Sequence, residues 1–191
     1  MPQLILASTS RYRQELLARL RLPFEAVAPE VDETALPSEA PAALAERLAL
    51  AKARVVAARF PGAIVIGSDQ VADLGGEAIG KPGTHEAATA QLRRMSGREV
   101  VFQTAVAVVA PGLAAIERAE VRVRLRELSD AVIETYLRAD KPYDCAGSAK
   151  VESLGIALLE AVESDDPTAL IGLPLIRTCT LLRRAGLEPL A

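Results

Sequence analysis

Asp69 follows an apolar run, Ala63 to Gly67, in the segment Ser68-Asp69-Gln70. Such a run predicts a buried strand over 63–67, and a carboxylate at the C-terminal end of a strand lies where open α/β sheets place ligands. There it can serve as a general base, or simply accept a hydrogen bond from its own turn. Glu30, Asp32 and Glu33 form an acidic run whose hard oxygens suit Mg2+ or Mn2+, the alternative being a solvated surface segment. Ser8, Ser10, Arg11 and Arg13 surround Tyr12 between the short apolar run Leu4 to Ala7 and a stretch with leucines at 16, 17 and 20. Hydroxyls and guanidinium groups where a strand passes into a helix make an anion site, or a plain helix cap with solvated arginines. Tyr12 stands out because aromatic residues are only 3% of the chain.

Two lysines extend this cationic set. Gly75-Gly76-Glu77-Ala78-Ile79-Gly80-Lys81 fits the spacing of a phosphate loop but continues with Pro82. Proline supplies neither the hydroxyl for magnesium nor a backbone N–H for phosphate, so a true phosphate loop is excluded. Lys81 remains a single point charge, able to meet a phosphate or to sit exposed in a turn. Lys52 falls beside an apolar stripe, Leu44, Leu48, Ala51 and Val55, that predicts a helix from about Ser38 to Phe60. His85, in a first helical turn, reads as an ordinary surface residue. Cys145 and Cys179 lack the spacing of a zinc site or a disulfide framework.

The elements that must position these residues follow from periodicity and turn signals. Leu4 to Ala7 predicts a strand, residues 8–13 a polar loop, and Phe24 to Ala28 a second strand. Gly75-Gly76 predicts a hairpin, and Thr84 caps a helix that ends before Gly97. Val100 to Ala110 and the alternating Val121 to Arg126 predict two long antiparallel strands turned at Pro111-Gly112. Ser129 caps a helix to about Ala139, a polar segment runs from Lys141 to Gly155, and a strand is expected over 156–162. A last helix runs from Pro174 to about Arg184, stopped near Gly186. The order is mixed α/β with strands of both orientations, in a single domain over 1–191.

Composition bounds the partners. The chain carries 22 basic and 25 acidic residues, a formal charge of -3, which argues against non-specific nucleic-acid binding but leaves room for a small anion held by a few lysines. The N-terminal apolar stretch is shorter than the core of a secretion signal, and no run approaches membrane-spanning length, so a reduced cytoplasmic setting is expected.

Seven segments in order resemble one family, the Maf-type nucleoside triphosphate pyrophosphatases. They are LASTSRYR at 6–13, VDE at 31–33, LALAKA at 48–53, IGSDQV at 66–71, GKPG at 80–83, DCAGSAKVESLG at 144–155 and ALIGLPL at 169–175. The resemblance implies an elongated, twisted mixed sheet with flanking helices in two lobes around a cleft, akin to inosine triphosphatases, and often a homodimer. It implies hydrolysis of a nucleoside triphosphate to monophosphate and pyrophosphate with Mg2+ or Mn2+. By the same resemblance Asp69 is the catalytic base, and Arg13, Lys52 and Lys81 hold the triphosphate beside Ser8 and Ser10. Glu33, with Asp69, takes the metal-bearing position.

Tyr12, Gln70 and Glu152 resemble the subgroup acting on N7-methyl-GTP rather than that acting on dTTP and UTP. N7-methylguanine is cationic, and stacking it on Tyr12 would contribute about 0.5 to 2 kcal/mol. Glu152 can accept hydrogen bonds from guanine N1–H and its exocyclic amine. Two departures stand in the late loop, Ala149 where relatives have Phe and Ser153 where they have Gly, and the lost aromatic would loosen the base pocket. Alternatives are the same reaction on dTTP, UTP or mixed non-standard nucleotides, and a nucleotide-binding regulator of cell division that does not hydrolyse.

Overall fold

The structure, a computed structural model, describes residues 2–191. Its centre is a long strand, β3 (Ile64–Leu74), flanked by β1 (Leu4–Ala7), which is buried along its whole length. β1 pairs in parallel with β3 and with the two-residue β2 (Glu25–Ala26). Between them in sequence come α1 (Arg11–Ala18) and α2 (Pro41–Ala57). β3 turns at Gly75-Gly76 into the short β4 (Glu77–Ile79), followed by α3 (His85–Met95) under its Thr84 cap. β5 (Glu99–Ala110) and β6 (Leu113–Leu125) form a long hairpin, and α4 (Asp130–Asp140) follows the Ser129 cap. β7 (Leu159–Ser164) closes the sheet and α5 (Leu175–Arg184) ends the chain's regular structure. The order is β2-β1-β3-β5-β6-β7, parallel at the β1 end and antiparallel from β3 onward, so the fold is mixed α/β.

The two-residue period of β3 decides what each of its side chains meets. On one face Ile64 and Ile66 pack with Leu16 and Leu17 of α1 and Leu181 and Leu182 of α5. Farther along the same face Ala72 and Leu74 pack with Leu92 of α3 and Ile133 and Leu137 of α4. Ser68 and Gln70 fall between these two apolar groups, and Thr104 does so on β5, where Val106 belongs to the first group and Phe102 to the second. The interrupted apolar row marks where two helical lobes part. On the opposite face Val65 and Ala105 pack beneath α2, against Ala45, Ala49, Ala53 and Val56.

α2 lies unusually close to the sheet at Gly67. A Cβ there would stand 2.2 Å from the Ala49 carbonyl oxygen and 2.6 Å from the Ala53 nitrogen, so only glycine admits this approach. The consequence is local to the site: Lys52 sits in the centre of the buried stripe, at 5% exposure, rather than beside it.

Several elements differ from the sequence expectation. β3 does not stop at Gly67 but runs to Leu74, because Ser68, Asp69 and Gln70 stay in register with Val106, Ala105 and Thr104 of β5. Asp69 is therefore in mid-strand, not at a strand end. α1 begins at Arg11 instead of after a loop through 13, which puts Arg13 on a first helical turn capped by Ser10. α2 begins at Pro41, whose fixed backbone suits a first helical position. β6 extends back to Leu113 and pairs with β5 through the whole hairpin. Residues 154–158 form a tight turn rather than strand, and β7 starts only at Leu159.

Candidate active site

The parting of the lobes opens a cleft of about 770 Å3 lined by Ser8, Ser10, Tyr12, Arg13, Glu33, Lys52, Lys81, Asp144 and Lys150, among others. The close approach of α2 at Gly67 brings Lys52 to the cleft wall, where it meets Glu33 and, in an adjoining hollow, Asp69. Lys52 Nζ lies 2.6 Å from Asp69 Oδ1 and 2.6 Å from Glu33 Oε1. The ammonium is thus shared by two carboxylates, one from β3 and one from the segment before α2. Asp69 Oδ2 has no hydrogen-bond partner among the described residues.

Glu33 is half exposed, at 54% of its side chain, yet its position is fixed by its neighbours. Arg47 on α2 donates to both oxygens of Glu39, at 2.6 and 2.8 Å, and to the Thr34 carbonyl oxygen at 3.0 Å. That fork holds the Glu39 carboxyl down at about 2 and ties residues 33–39 onto α2. Partial desolvation raises the Glu33 pKa, but the hydrogen bond and charge of Lys52, with Lys81 and Arg13, outweigh it and leave it lowered. Asp32 instead accepts the Thr34 N–H at 2.9 Å, and both it and Glu30 are exposed; of the acidic run only Glu33 enters the cleft.

Ser8 and Ser10 shape the turn from β1 into α1. The Ser8 hydroxyl accepts the Ser10 N–H at 3.1 Å, and the Ser10 hydroxyl accepts the Arg13 N–H at 3.4 Å. Arg13 is then anchored from across the cleft, its Nε donating to the Gly172 carbonyl at 2.9 Å. Nη1 and Nη2 have no protein partner among the described residues, which leaves a planar fork facing the cleft. Burial lowers the guanidinium pKa while the charges of Asp69 and Glu33 raise it. Asp166, fully buried, sets the Gly172 loop: its carboxylate accepts the Thr168 N–H and hydroxyl at 3.2 and 2.8 Å and the Ile176 N–H at 2.8 Å.

Lys81 is exposed and has no ion-pair partner among the described residues. Its loop is held to the 141–149 segment by Gly83 N–H to the Tyr143 carbonyl at 3.0 Å and Gly147 N–H to the Gly80 carbonyl at 3.4 Å. Gln91 of α3 bridges the same two loops, donating to Gly80 O at 3.0 Å and accepting from the Ser148 hydroxyl at 2.6 Å.

A side pocket of about 100 Å3 opens from the cleft and is lined by Tyr12, Gln70, Asp144, Ala149 and Glu152, among others. Gln70 is braced: its amide nitrogen lies 3.0 Å from Thr104 Oγ1 and from the carbonyls of Ala169 and Leu170, while Oε1 has no partner among the described residues. Because Gln70 and Asp69 are adjacent on one strand, they leave β3 on opposite faces, Asp69 toward α2 and Gln70 toward the 169–172 turn. Partial desolvation, joined by repulsion from Asp140 and Asp144, raises the Glu152 carboxyl pKa. The Tyr12 ring attracts cations already, with Arg11 Cζ 5.5 Å and Lys150 Nζ 5.4 Å from its centroid.

The ten residues to which the resemblance assigns a role line the cleft, its side pocket or the adjoining hollow that exposes Asp69, whereas Glu30, Asp32 and His85 do not. Sequence reasoning missed Asp144 and Lys150, which read as members of a solvated loop, and Asp166 and Gly172, which position Arg13. Asp166-Pro167-Thr168 ahead of a helix carried a capping signal that could have flagged the Gly172 turn. Among the described residues no cluster of three or more histidine, cysteine or carboxylate side chains is arranged to hold a metal ion, and no helix is long and apolar enough to cross a membrane.

Comparison with known proteins adds the following. The family model described as Maf-like protein matches residues 3–185. Proteins named 7-methyl-GTP pyrophosphatase are similar over nearly the whole chain: one from Albidiferax ferrireducens is 62% identical, covering 98% of this chain and 96% of that protein. One from a Polaromonas species is 66% identical, covering 96% and 84%. One from Xanthomonas campestris is 62% identical, covering 97% of each. Among solved structures, a Ham1 protein of Staphylococcus aureus is 16% identical over 64% of this chain and 71% of its own, with a TM-score of 0.48. A dITP/XTP pyrophosphatase of Mycobacterium abscessus is 20% identical over 66% and 75%, with a TM-score of 0.44.

Proposed function

Since the chain belongs to the Maf-like protein family, we propose that it hydrolyses N7-methyl-GTP to the monophosphate and pyrophosphate. The observation that carries the chemistry is the Asp69–Lys52–Glu33 arrangement beside the free Arg13 fork. Lys52 holds one oxygen of Asp69, which fixes the carboxylate, and the other oxygen is free to take a proton from water. That water attacks the α-phosphorus, the bond from it to the bridging oxygen breaks, and pyrophosphate leaves. Arg13 and Lys81 face the negative charge on the non-bridging and leaving oxygens, so preorganised charge supplies most of the rate.

A divalent cation fits this donor set. Lys52 takes one oxygen of each of Glu33 and Asp69, and the second oxygen of each, without a partner among the described residues, is the hard donor that would reach a divalent cation. Magnesium is commonly held by one or two carboxylates together with substrate phosphates, and needs no third protein ligand. Bound there, it would neutralise phosphate charge.

The base reading rests on the side pocket and on the names of the similar proteins. Tyr12 offers a ring face that already draws cations, and Glu152 and Asp144 add negative charge on the pocket wall, which favours a positively charged base. Ala149 leaves that wall without an aromatic. Glu152→Gln is expected to lower the ratio of kcat/KM for N7-methyl-GTP over GTP by about tenfold, and Tyr12→Ala by about three- to tenfold, with smaller effects on GTP itself. Glu152 presents the negative charge that favours a cationic base only when ionised, and its pKa is raised. Discrimination should therefore fade on acidification at a higher pH than an ordinary glutamate would give, and Glu152→Gln should remove that pH step. Steady-state pyrophosphate release from both nucleotides between pH 5 and 8 checks this; unchanged ratios in both variants would overturn the base assignment.

A further inference from the structure

We propose that Lys150 is a further triphosphate-binding residue, a cation mounted on the wall of the cleft that bears the late loop; this deepens the function proposed above. Lys150 lines the large cleft together with Arg13, Lys52 and Lys81, and is not part of the side pocket that holds Gln70, Ala149 and Glu152. Ala149 and Glu152 line the side pocket, while the Lys150 ammonium lies by the Tyr12 ring, at the border between that pocket and the large cleft.

Its charge is uncommitted. Lys52 is engaged by two carboxylates and Arg11 by Glu15 at 3.2 Å, whereas Lys150 has no carboxylate within ion-pair distance among the described residues. Its ammonium rests instead on the Tyr12 ring, 5.4 Å from the centroid. A cation–π contact of this kind is weak enough to be given up for a phosphate oxygen.

The backbone of Lys150 is built as a mount. Its N–H donates to the hydroxyl of the buried Tyr136 at 2.9 Å. Its carbonyl accepts the N–H of both Ser153 and Gly155, each at 3.1 Å. A Cβ at Gly155 would lie 2.6 to 2.8 Å from Lys150 backbone atoms, so the turn closes this tightly only on glycine. A lysine that served only as a solvated surface charge would not need its main chain held at both ends. The Tyr12 hydroxyl beside it raises the ammonium pKa, which keeps it charged at neutral pH.

The probe is inorganic tripolyphosphate with Mg2+, titrated calorimetrically into wild type, Lys150→Met and Lys150→Arg, with thermal melts to confirm that each is folded. Lys150→Met should weaken binding about tenfold and Lys150→Arg less than about threefold. In turnover, Lys150→Met should raise KM for N7-methyl-GTP and GTP by the same factor, since phosphate contacts do not read the base. Equal tripolyphosphate affinity of wild type and Lys150→Met, or no binding to either, would overturn the inference. So would a folded Lys150→Met that changed only the ratio between the two bases. A wild-type protein that binds tripolyphosphate through Lys150 yet releases no pyrophosphate from any nucleotide would overturn the proposed function and keep Lys150 as a polyphosphate ligand.

Discussion

Asp69→Asn should lower kcat for pyrophosphate release by about 10^2 to 10^4, the range that a positioned general base contributes. Asparagine has the shape of aspartate and can keep its place in the β3–β5 ladder, where Asp69 pairs with Ala105. It cannot accept a proton from water at neutral pH. Lys52 loses one carboxylate but keeps Glu33 at 2.6 Å, so its buried charge is still compensated and the fold should survive. The check is steady-state pyrophosphate release beside thermal unfolding. A variant that melts within a few degrees of wild type and is nearly inactive fits the assignment; one within about threefold of wild-type kcat would remove Asp69 from the chemistry.

Lys52→Met should cost both stability and activity. Lys52 is 5% exposed and Asp69 7% exposed, so removing the cation leaves a buried carboxylate with Arg13 as a remaining counter-charge. Breaking a buried pair from one side costs about 3 to 5 kcal/mol, and the half-exposed Glu33 reduces this toward about 2 to 4. For a chain of this size that is a fall in Tm of about 5 to 12 °C. The methionine stem can still pack in the α2 stripe, so the loss would report charge rather than volume. Adding Glu33→Gln to Lys52→Met should restore part of the stability by removing one of the unpaired acids, with no recovery of turnover. An unchanged Tm for Lys52→Met would show that the three-charge centre is not coupled as the geometry implies.

Much of the fold was legible because local signals and tertiary packing agree. Thr84 and Ser129 cap the helices that their sequences announce, each accepting the expected N–H, and the Gly75-Gly76 hairpin falls where the glycines stand. The length of β3 was not legible, because Ser68, Asp69 and Gln70 break the apolar run while the backbone ladder with β5 is indifferent to side-chain polarity. Those same polar residues mark the gap between the lobes. Within the 154–158 turn, residues 156–158 read as the start of a strand because Ile156, Ala157 and Leu158 are apolar; Gly155 folding back on Lys150 prevents it.

At the site, residue types indicated anion binding and acid–base chemistry, and resemblance distributed the roles, but neither showed the arrangement. That Lys52 joins Asp69 to Glu33 depends on the close approach of α2 over Gly67, a contact between segments that sequence spacing does not reveal. That Gln70 is braced by the 169–172 turn depends on a chain reversal about a hundred residues later, at the carbonyls of Ala169 and Leu170. Lys150 was hidden for a simpler reason: a lysine in a polar loop looks solvated until its backbone partners and its place over Tyr12 are seen.

The most direct test of the central claim is product analysis with wild-type protein and N7-methyl-GTP, GTP, dTTP and UTP, each with Mg2+, with Mn2+ and with chelator. The prediction is metal-dependent release of pyrophosphate and the nucleoside monophosphate, fastest from N7-methyl-GTP. Release of orthophosphate in place of pyrophosphate, faster turnover of dTTP or UTP, or no turnover of any nucleotide would contradict it.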